Sequence, residues 1–183
     1  MIAYIICEGL SDTQILQSIL PKQLLKEVEV VAAGGISSVK SLARSLVVRR
    51  QVPVAIVVDA DSTIPELVQM QTNSITQIVE SVSVNTPVKV ILFVPEMEAI
   101  FFQDPQLLSR LLGYSPSQDE LTSAISQPAK VLKQLITKSE KVNDLTQFIN
   151  KLSDENIDTL RNTSAIQELI YFLQAVREPV QIL

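Results

Sequence analysis

No histidine occurs among the 183 residues, and the chain has one cysteine and no tryptophan. The missing imidazole excludes a Ser-His-Asp triad, a Cys-His pair and any zinc or iron centre held by histidine. Chemistry is left to carboxylates, lysine or arginine, hydroxyls, or a hard metal held by oxygen. Cys7 has no partner for an internal disulfide, which agrees with a reducing compartment. No apolar run approaches the roughly 18 residues that cross a bilayer, and the chain begins in a strand-like segment with no basic region or cleavage site. These absences predict a cytoplasmic protein with no membrane partner. Aromatic residues make up only 4% of a chain that is 46% hydrophobic, so its core must be mainly aliphatic. The net charge of −5 argues mildly against nucleic acid, because phosphate binding is normally driven by Lys and Arg; bound Mg²⁺ would offset part of this.

Glycine is also scarce. Of four glycines, Gly9, Gly34 and Gly35 fall at strand-to-helix turns, where the backbone turns sharply or approaches a ligand such as a phosphate closely.

From residue 1 to about 94, short apolar runs alternate with longer amphipathic stretches, the pattern of βαβ units and a parallel sheet. Four strands are expected at 2–7, 28–32, 52–58 and 88–94, each rich enough in Val, Ile and Leu to be buried on both faces. Ser11 is the expected cap of the first helix and Ser37 or Ser38 that of the second. The third helix is expected over 64–82, with Ile64, Leu67, Val68, Ile75, Ile78, Val79 and Val82 on one apolar face. After Pro95 the pattern becomes consecutive helices separated by Pro105, Pro116 and Pro128, with a capping box in Ser117 and Glu120. The expected organisation is an α/β domain at 1–102 and a helical extension at 103–183. That extension either packs on the same domain or serves association, including homo-oligomer formation.

Acidic residues end three of the apolar runs: Glu8, Asp59 with Asp61, and Glu96 with Glu98. In a parallel α/β sheet the strand ends open into a shared crevice, so these carboxylates are expected to converge. At about 4 Å each like-charged pair costs roughly 1 kcal/mol in water and about 4 kcal/mol at an effective dielectric near 20, which favours a divalent cation between them. Asp59 and Asp61, two apart in an extended backbone, should face one cation together. Asp12 either joins the site or complements the dipole of the first helix. Cys7 is expected to be a buried small apolar residue. Lys40, Arg44, Arg49 and Arg50 form a basic stretch on the second helix, with Lys40 and Arg44 one turn apart, placed either for a phosphate backbone or simply for water. A phospho-receiver domain is disfavoured, because paired acids after the first strand and a lysine ending a later strand are missing.

The order strand-Glu-Gly, strand-Gly-Gly-helix, strand-Asp-x-Asp, with steps of about 25 residues, resembles the TOPRIM domain of topoisomerases, DnaG-type primases, OLD-family nucleases and recombination-repair proteins. The resemblance covers about residues 1–102. Three features bring it nearest to OLD-like, small stand-alone prokaryotic TOPRIM proteins: Glu8-Gly9-Leu10-Ser11-Asp12, the Ala32-Ala33-Gly34-Gly35 turn, and Pro95-Glu96-Met97-Glu98-Ala99-Ile100-Phe101. It implies a Rossmann-like TOPRIM fold with a four-stranded parallel sheet flanked by helices. By motif it implies that Glu8 is a general acid or base and that Asp59 and Asp61 bind Mg²⁺ or Mn²⁺. Glu96 or Glu98 would add a ligand, and Glu8 and Asp12 lie near enough in the pattern to join the metal set. A late lysine that stabilises developing phosphate charge would be Lys130, at an expected helix start, or Lys133.

Two departures stand out. No Gly-x-x-x-x-Gly-Lys-Ser/Thr motif is present, whereas OLD-type enzymes usually carry an ATPase domain, and Ile36 replaces a residue that is usually small and basic or polar. Tyr4, Tyr114 and Tyr171 have no context of a topoisomerase nucleophile. The resemblance therefore implies metal-dependent, endonuclease-like phosphodiester chemistry on nucleic acid, DNA first, in a prokaryotic defence or repair setting. The alternative is a non-catalytic module that binds metal or nucleic acid as a subunit beside a separately encoded ATPase or other protein.

Overall fold

Aliphatic and β-branched runs form four parallel strands, β1 (Ala3–Cys7), β2 (Val28–Ala32), β3 (Val54–Asp59) and β4 (Val88–Phe93), in the computed structural model, which describes residues 1–177. Residues 178–183 of the C-terminal extension lie outside the described residues. The sheet order is β2-β1-β3-β4, with Ile5 beside both Val30 and Ala55, and Val57 beside Ile91. All of β1 is buried, as is β3 up to Val58. Burial on both faces is why these central strands read as unbroken apolar runs rather than as alternation. Pro53 falls outside β3: it has no N–H to give a ladder, and its carbonyl instead accepts the Tyr4 N–H at 2.9 Å.

The helices are α1 (Leu10–Ile19), α2 (Lys22–Leu25), α3 (Ile36–Arg49) and α4 (Pro65–Glu80), then, after a 3-10 turn at Met97–Phe102, α5 (Pro105–Leu112), α6 (Gln118–Ala124), α7 (Pro128–Lys138), α8 (Leu145–Asn150), α9 (Asp154–Arg161) and α10 (Ser164–Arg177). Alternating strand residues separate two cores. Tyr4, Ile6, Ile56 and Val58 pack with α3 and α4 through Val39, Ala43, Ile75 and Val79. Ile5, Cys7, Val57 and Phe93 pack on the opposite face with α1 and with the helices that follow the 3-10 turn. Phe101 of that turn meets Phe148 of α8 edge to face, with centroids 5.2 Å apart and planes at 89°. Residues after 103 thus share a continuous core with the sheet. Among the described residues no helix is long and apolar enough to cross a membrane.

The helix starts differ from the sequence expectation. Gly9, not Ser11, is the N-cap of α1, and Gly35, not Ser37 or Ser38, is the N-cap of α3. The α4 stripe has the expected spacing, but only Ile75 and Val79 are fully buried within the helix, while Ile64 and Leu67 are 52% and 48% exposed. Helical periodicity records which residues share a face, not whether a neighbour covers that face along its whole length. By contrast, Ser117 and Glu120 form the expected capping box and Pro128 opens α7.

Candidate functional site

From β1 the chain crosses to β2 on one side and then to β3 on the other, so the topological switch point lies between β1 and β3. Cys7 is level with Val57 in that pair, which brings Glu8 and Asp59 to the same end of the two central strands. The Gly34-Gly35 turn closes against this end: both N–H groups donate to the Glu8 carbonyl, at 2.9 and 3.2 Å. With φ of +84° and +110°, both positions adopt a backbone that glycine enters without a Cβ penalty. The Gly9 N–H donates to Oδ2 of Asp12 at 2.9 Å. All three glycine amides are thus engaged within the protein, and the turns they make aim the first turn of α3 at Glu8.

The carboxylates are fixed by backbone amides. Oδ1 of Asp59 accepts the Met97 N–H at 2.8 Å. Oε2 of Glu96 accepts the Ala129 N–H at 2.8 Å, capping α7, whose own N-cap residue Gln127 makes no side-chain cap. Asp12 and Glu98 are buried, at 7% and 8% exposure. Asp12 thus caps the first helix through the Gly9 N–H, and its negative charge acts on both Asp59 and Glu98. The loop after β3 is tied to the end of β4 by Ala60 N–H to Phe93 O at 2.8 Å and to the segment that follows by Asp61 N–H to Pro95 O at 2.9 Å.

Their electrostatics show how far the acids converge. Burial, then the negative charges of Asp12, Glu98 and Glu96, push Asp59 up to about 8, against the Met97 N–H that favours its charged form. Burial, followed by Asp12 and Glu96, also raises Glu98 above the ordinary carboxylate range. Glu8 is raised by burial and by Asp61 and Asp12, while the amides of Asp59 and Ile36 act in the opposite direction. Cys7 is fully buried and pushed up by burial, Asp12 and Asp59, which keeps it a protonated, inert thiol.

The pairing of Asp59 with Asp61 differs from the sequence expectation. Asp61 has φ +52°, so the chain has left the extended conformation on which the shared direction depended. Asp59 feels Asp12, Glu98 and Glu96, whereas the exposed Asp61 acts on Glu8. Among the described residues, no three His, Cys, Asp or Glu side chains form a ready-made metal cage. The donor chemistry nevertheless suits a hard cation. Burial and the negative charge of neighbouring acids raise the proton affinity of Asp59 and Glu98, and Mg²⁺ is commonly held by one or two carboxylates with water and substrate phosphate completing its shell.

Of the two late lysines, Lys130 is exposed, with Nζ donating to Gln127 Oε1 at 3.0 Å. Lys133 instead lines a cavity of about 490 Å³ with Ser11, Glu98, Asn143 and Asp144. Sequence reasoning did not single out Ser11, Asn143 or Asp144 as neighbours of Glu98, because α1, α7 and α8 meet only in the tertiary fold.

Neither a protein-family model nor a curated protein matches the sequence. Among solved structures, the chain is similar to the C-terminal region of the Xanthomonas campestris pv. campestris OLD protein, with a TM-score of 0.53 and 16% identity over 96% of this chain and 95% of that one. It is similar also to the C-terminal region of the Burkholderia pseudomallei OLD protein, with a TM-score of 0.55 and 13% identity over 96% of this chain and 98% of that one. At such identities the likeness is one of fold: a Rossmann-like α/β architecture, with a four-stranded parallel sheet and flanking helices, shared with OLD C-terminal regions over nearly the whole chain.

Proposed function

We propose that this chain performs Mg²⁺- or Mn²⁺-dependent phosphodiester chemistry on nucleic acid, with endonuclease-like cleavage of DNA as the reaction and the cytoplasm as its place. The observation that carries this reading is the group of carboxylates at the switch point of a fold shared with OLD C-terminal regions: Asp59 and Glu98, raised by burial and by neighbouring acids, with the buried Asp12 and Glu8 beside them. The TOPRIM and OLD-nuclease resemblance of the sequence supports the same assignment.

In this reading Asp59 supplies carboxylate oxygen to the cation, with Glu98, Glu96 and Asp12 lining the approach and Asp61 on the Glu8 side of the crevice. A bound Mg²⁺ would polarise the scissile phosphate and lower the pKa of a coordinated water. Glu8, whose proton affinity burial raises, exchanges a proton with the attacking or leaving oxygen, a role that requires a carboxyl titrating nearer neutrality than a free glutamate. The amides of Asp59 and Ile36 favour the charged form of that carboxyl. Lys133, in the cavity with Glu98, is better placed than Lys130 to offset phosphate charge.

One observation favours a second reading, a non-catalytic module that binds metal or nucleic acid beside a separately encoded ATPase or other subunit: no three acids form a ready-made cage among the described residues. Incubation with supercoiled plasmid and Mg²⁺ or Mn²⁺ separates the two. Wild-type nicking that a Glu8→Gln, Asp59→Asn double variant lacks supports the enzyme. Equal background in both supports the module.

A further inference from the structure

Helix α3 contains no acidic residue, yet Lys40, Arg44 and Arg49 lie on it and Arg50 follows as its C-cap, in a chain whose net charge is −5. Among the described residues, every ion pair lies elsewhere in the fold, so these four cations are balanced by no carboxylate. Lys40, Arg44 and Arg49 line a groove of about 420 Å³ together with Ser37, Ser41 and Ser45. Ile78 and Val82, from α4 and the turn that follows it, complete its wall.

The spacing gives the groove a direction. Ser37, Ser41 and Ser45 recur every fourth residue, as do Lys40 and Arg44, so a row of hydroxyls runs beside a row of cations along the helix axis. At 1.5 Å per residue the hydroxyl row is about 12 Å long, enough for about three successive phosphates of one strand at roughly 3.4 Å of duplex axis each. Lysine, arginine and serine are among the side chains that bind phosphate oxygens, and such contacts fix register on a duplex without carrying sequence information. No aromatic residue lines the groove, so it offers bases nothing to stack on, which favours a duplex backbone over a single strand. No carboxylate lines it either, which excludes a metal or a cationic ligand. Its N-terminal end is anchored at the acidic crevice: the Gly35 N–H donates to the Glu8 carbonyl, and the Ile36 amide acts on the Glu8 carboxyl.

We propose that the groove along α3 is a sequence-independent track for the phosphate backbone of duplex DNA, leading it to the crevice at Glu8. The track itself stands on the α3 geometry. Only its destination rests on the function proposed above.

Fluorescence anisotropy of a labelled duplex in EDTA tests the track without metal or cleavage. The Lys40→Gln, Arg44→Gln variant should bind at least about tenfold more weakly than wild type. Its plot of log affinity against log salt should be shallower by about two, the loss of two phosphate contacts. The Lys40→Arg, Arg44→Lys variant should restore most of both. Glu8→Gln, Asp59→Asn should bind at least as well as wild type, since it adds no negative charge and leaves every residue of the groove in place. Unchanged affinity and slope in the glutamine variant, with its melting temperature intact, would overturn the proposal, as would tighter binding of single strands than of duplex. Loss of cleavage in Glu8→Gln, Asp59→Asn with duplex binding retained would leave the track standing and bear on the crevice alone.

Discussion

Oδ1 of Asp59 accepts the backbone N–H of Met97 at 2.8 Å, across 38 positions of sequence. The bond joins the end of β3 to the 3-10 turn that carries Glu98, so one contact sets the placement of Asp59 beside an acid whose negative charge adds to the effect of burial on its proton affinity. An acid held this way acts on stability as well as on chemistry.

Asp59 takes up its proton near pH 8 in the folded chain against 3.8 ordinarily, so between these values the folded state binds more protons than the unfolded state. Stability of the metal-free protein is therefore greatest at the acid end of this window and falls as pH rises through it. The raised affinities of Glu8 and Glu98 add with the same sign. Urea midpoints measured in EDTA should decline from about pH 4 to about 8, and Asp59→Asn should flatten the decline while raising stability at neutral pH. An equally steep decline in the variant contradicts the assignment.

Because metal ligands must be deprotonated, binding of Mn²⁺ or Mg²⁺ at Asp59 displaces that proton. Calorimetric titration at neutral pH, repeated in buffers of different ionisation enthalpy, should reveal release approaching one proton per metal. Release should vanish in Asp59→Asn. Metal binding without proton release in wild type would place the ion elsewhere.

Glu96 should matter structurally through its bond to Ala129. Glu96→Ala removes the cap of α7 and is expected to cost about 1 kcal/mol, or a fall in Tm of about 2–4 °C for a chain of this size. Glu96→Gln keeps an oxygen for the same N–H and should melt within about 1 °C of wild type on that scale. A glutamine variant as unstable as the alanine variant would show that the charge, not the hydrogen bond, holds α7.

Phe101→Ala should be the more severe lesion. The ring is fully buried and edge-on to Phe148, so truncation is expected to cost about 3–5 kcal/mol by urea denaturation. A loss under about 1 kcal/mol would mean that the site collapses without a cavity and that the 3-10 turn is not anchored through this ring.

The sheet was legible because the central strands β1 and β3, buried on both faces, write their burial as unbroken apolar runs; β2 lies where its run puts it, at Val28–Ala32, but as an edge strand it has no fully buried residue, contrary to the expectation for all four strands. Glu8 and Asp59 were legible for a related reason, since a carboxylate that ends such a run marks the mouth of the sheet. Helix starts were harder. Gly9 and Gly35 cap through backbone conformation, so the neighbouring serines gave the stronger but misleading signal. Asp61 could not be oriented from spacing alone, because its positive φ arises from a turn whose N–H groups bond to Phe93 and Pro95, far along the chain. Lys133 beside Glu98 needed the packing of α7 and α8 against α1, which no local pattern encodes.

The most direct measurement follows supercoiled plasmid over time with wild type, Glu8→Gln and Asp59→Asn, each checked for an intact melting transition, in Mg²⁺ or Mn²⁺ and again in EDTA. Wild type should nick or linearise the plasmid only with metal, and each variant should be slower by about a hundredfold or more. Metal-independent cleavage, or equal rates in wild type and both variants, would contradict the acidic crevice as the seat of the chemistry.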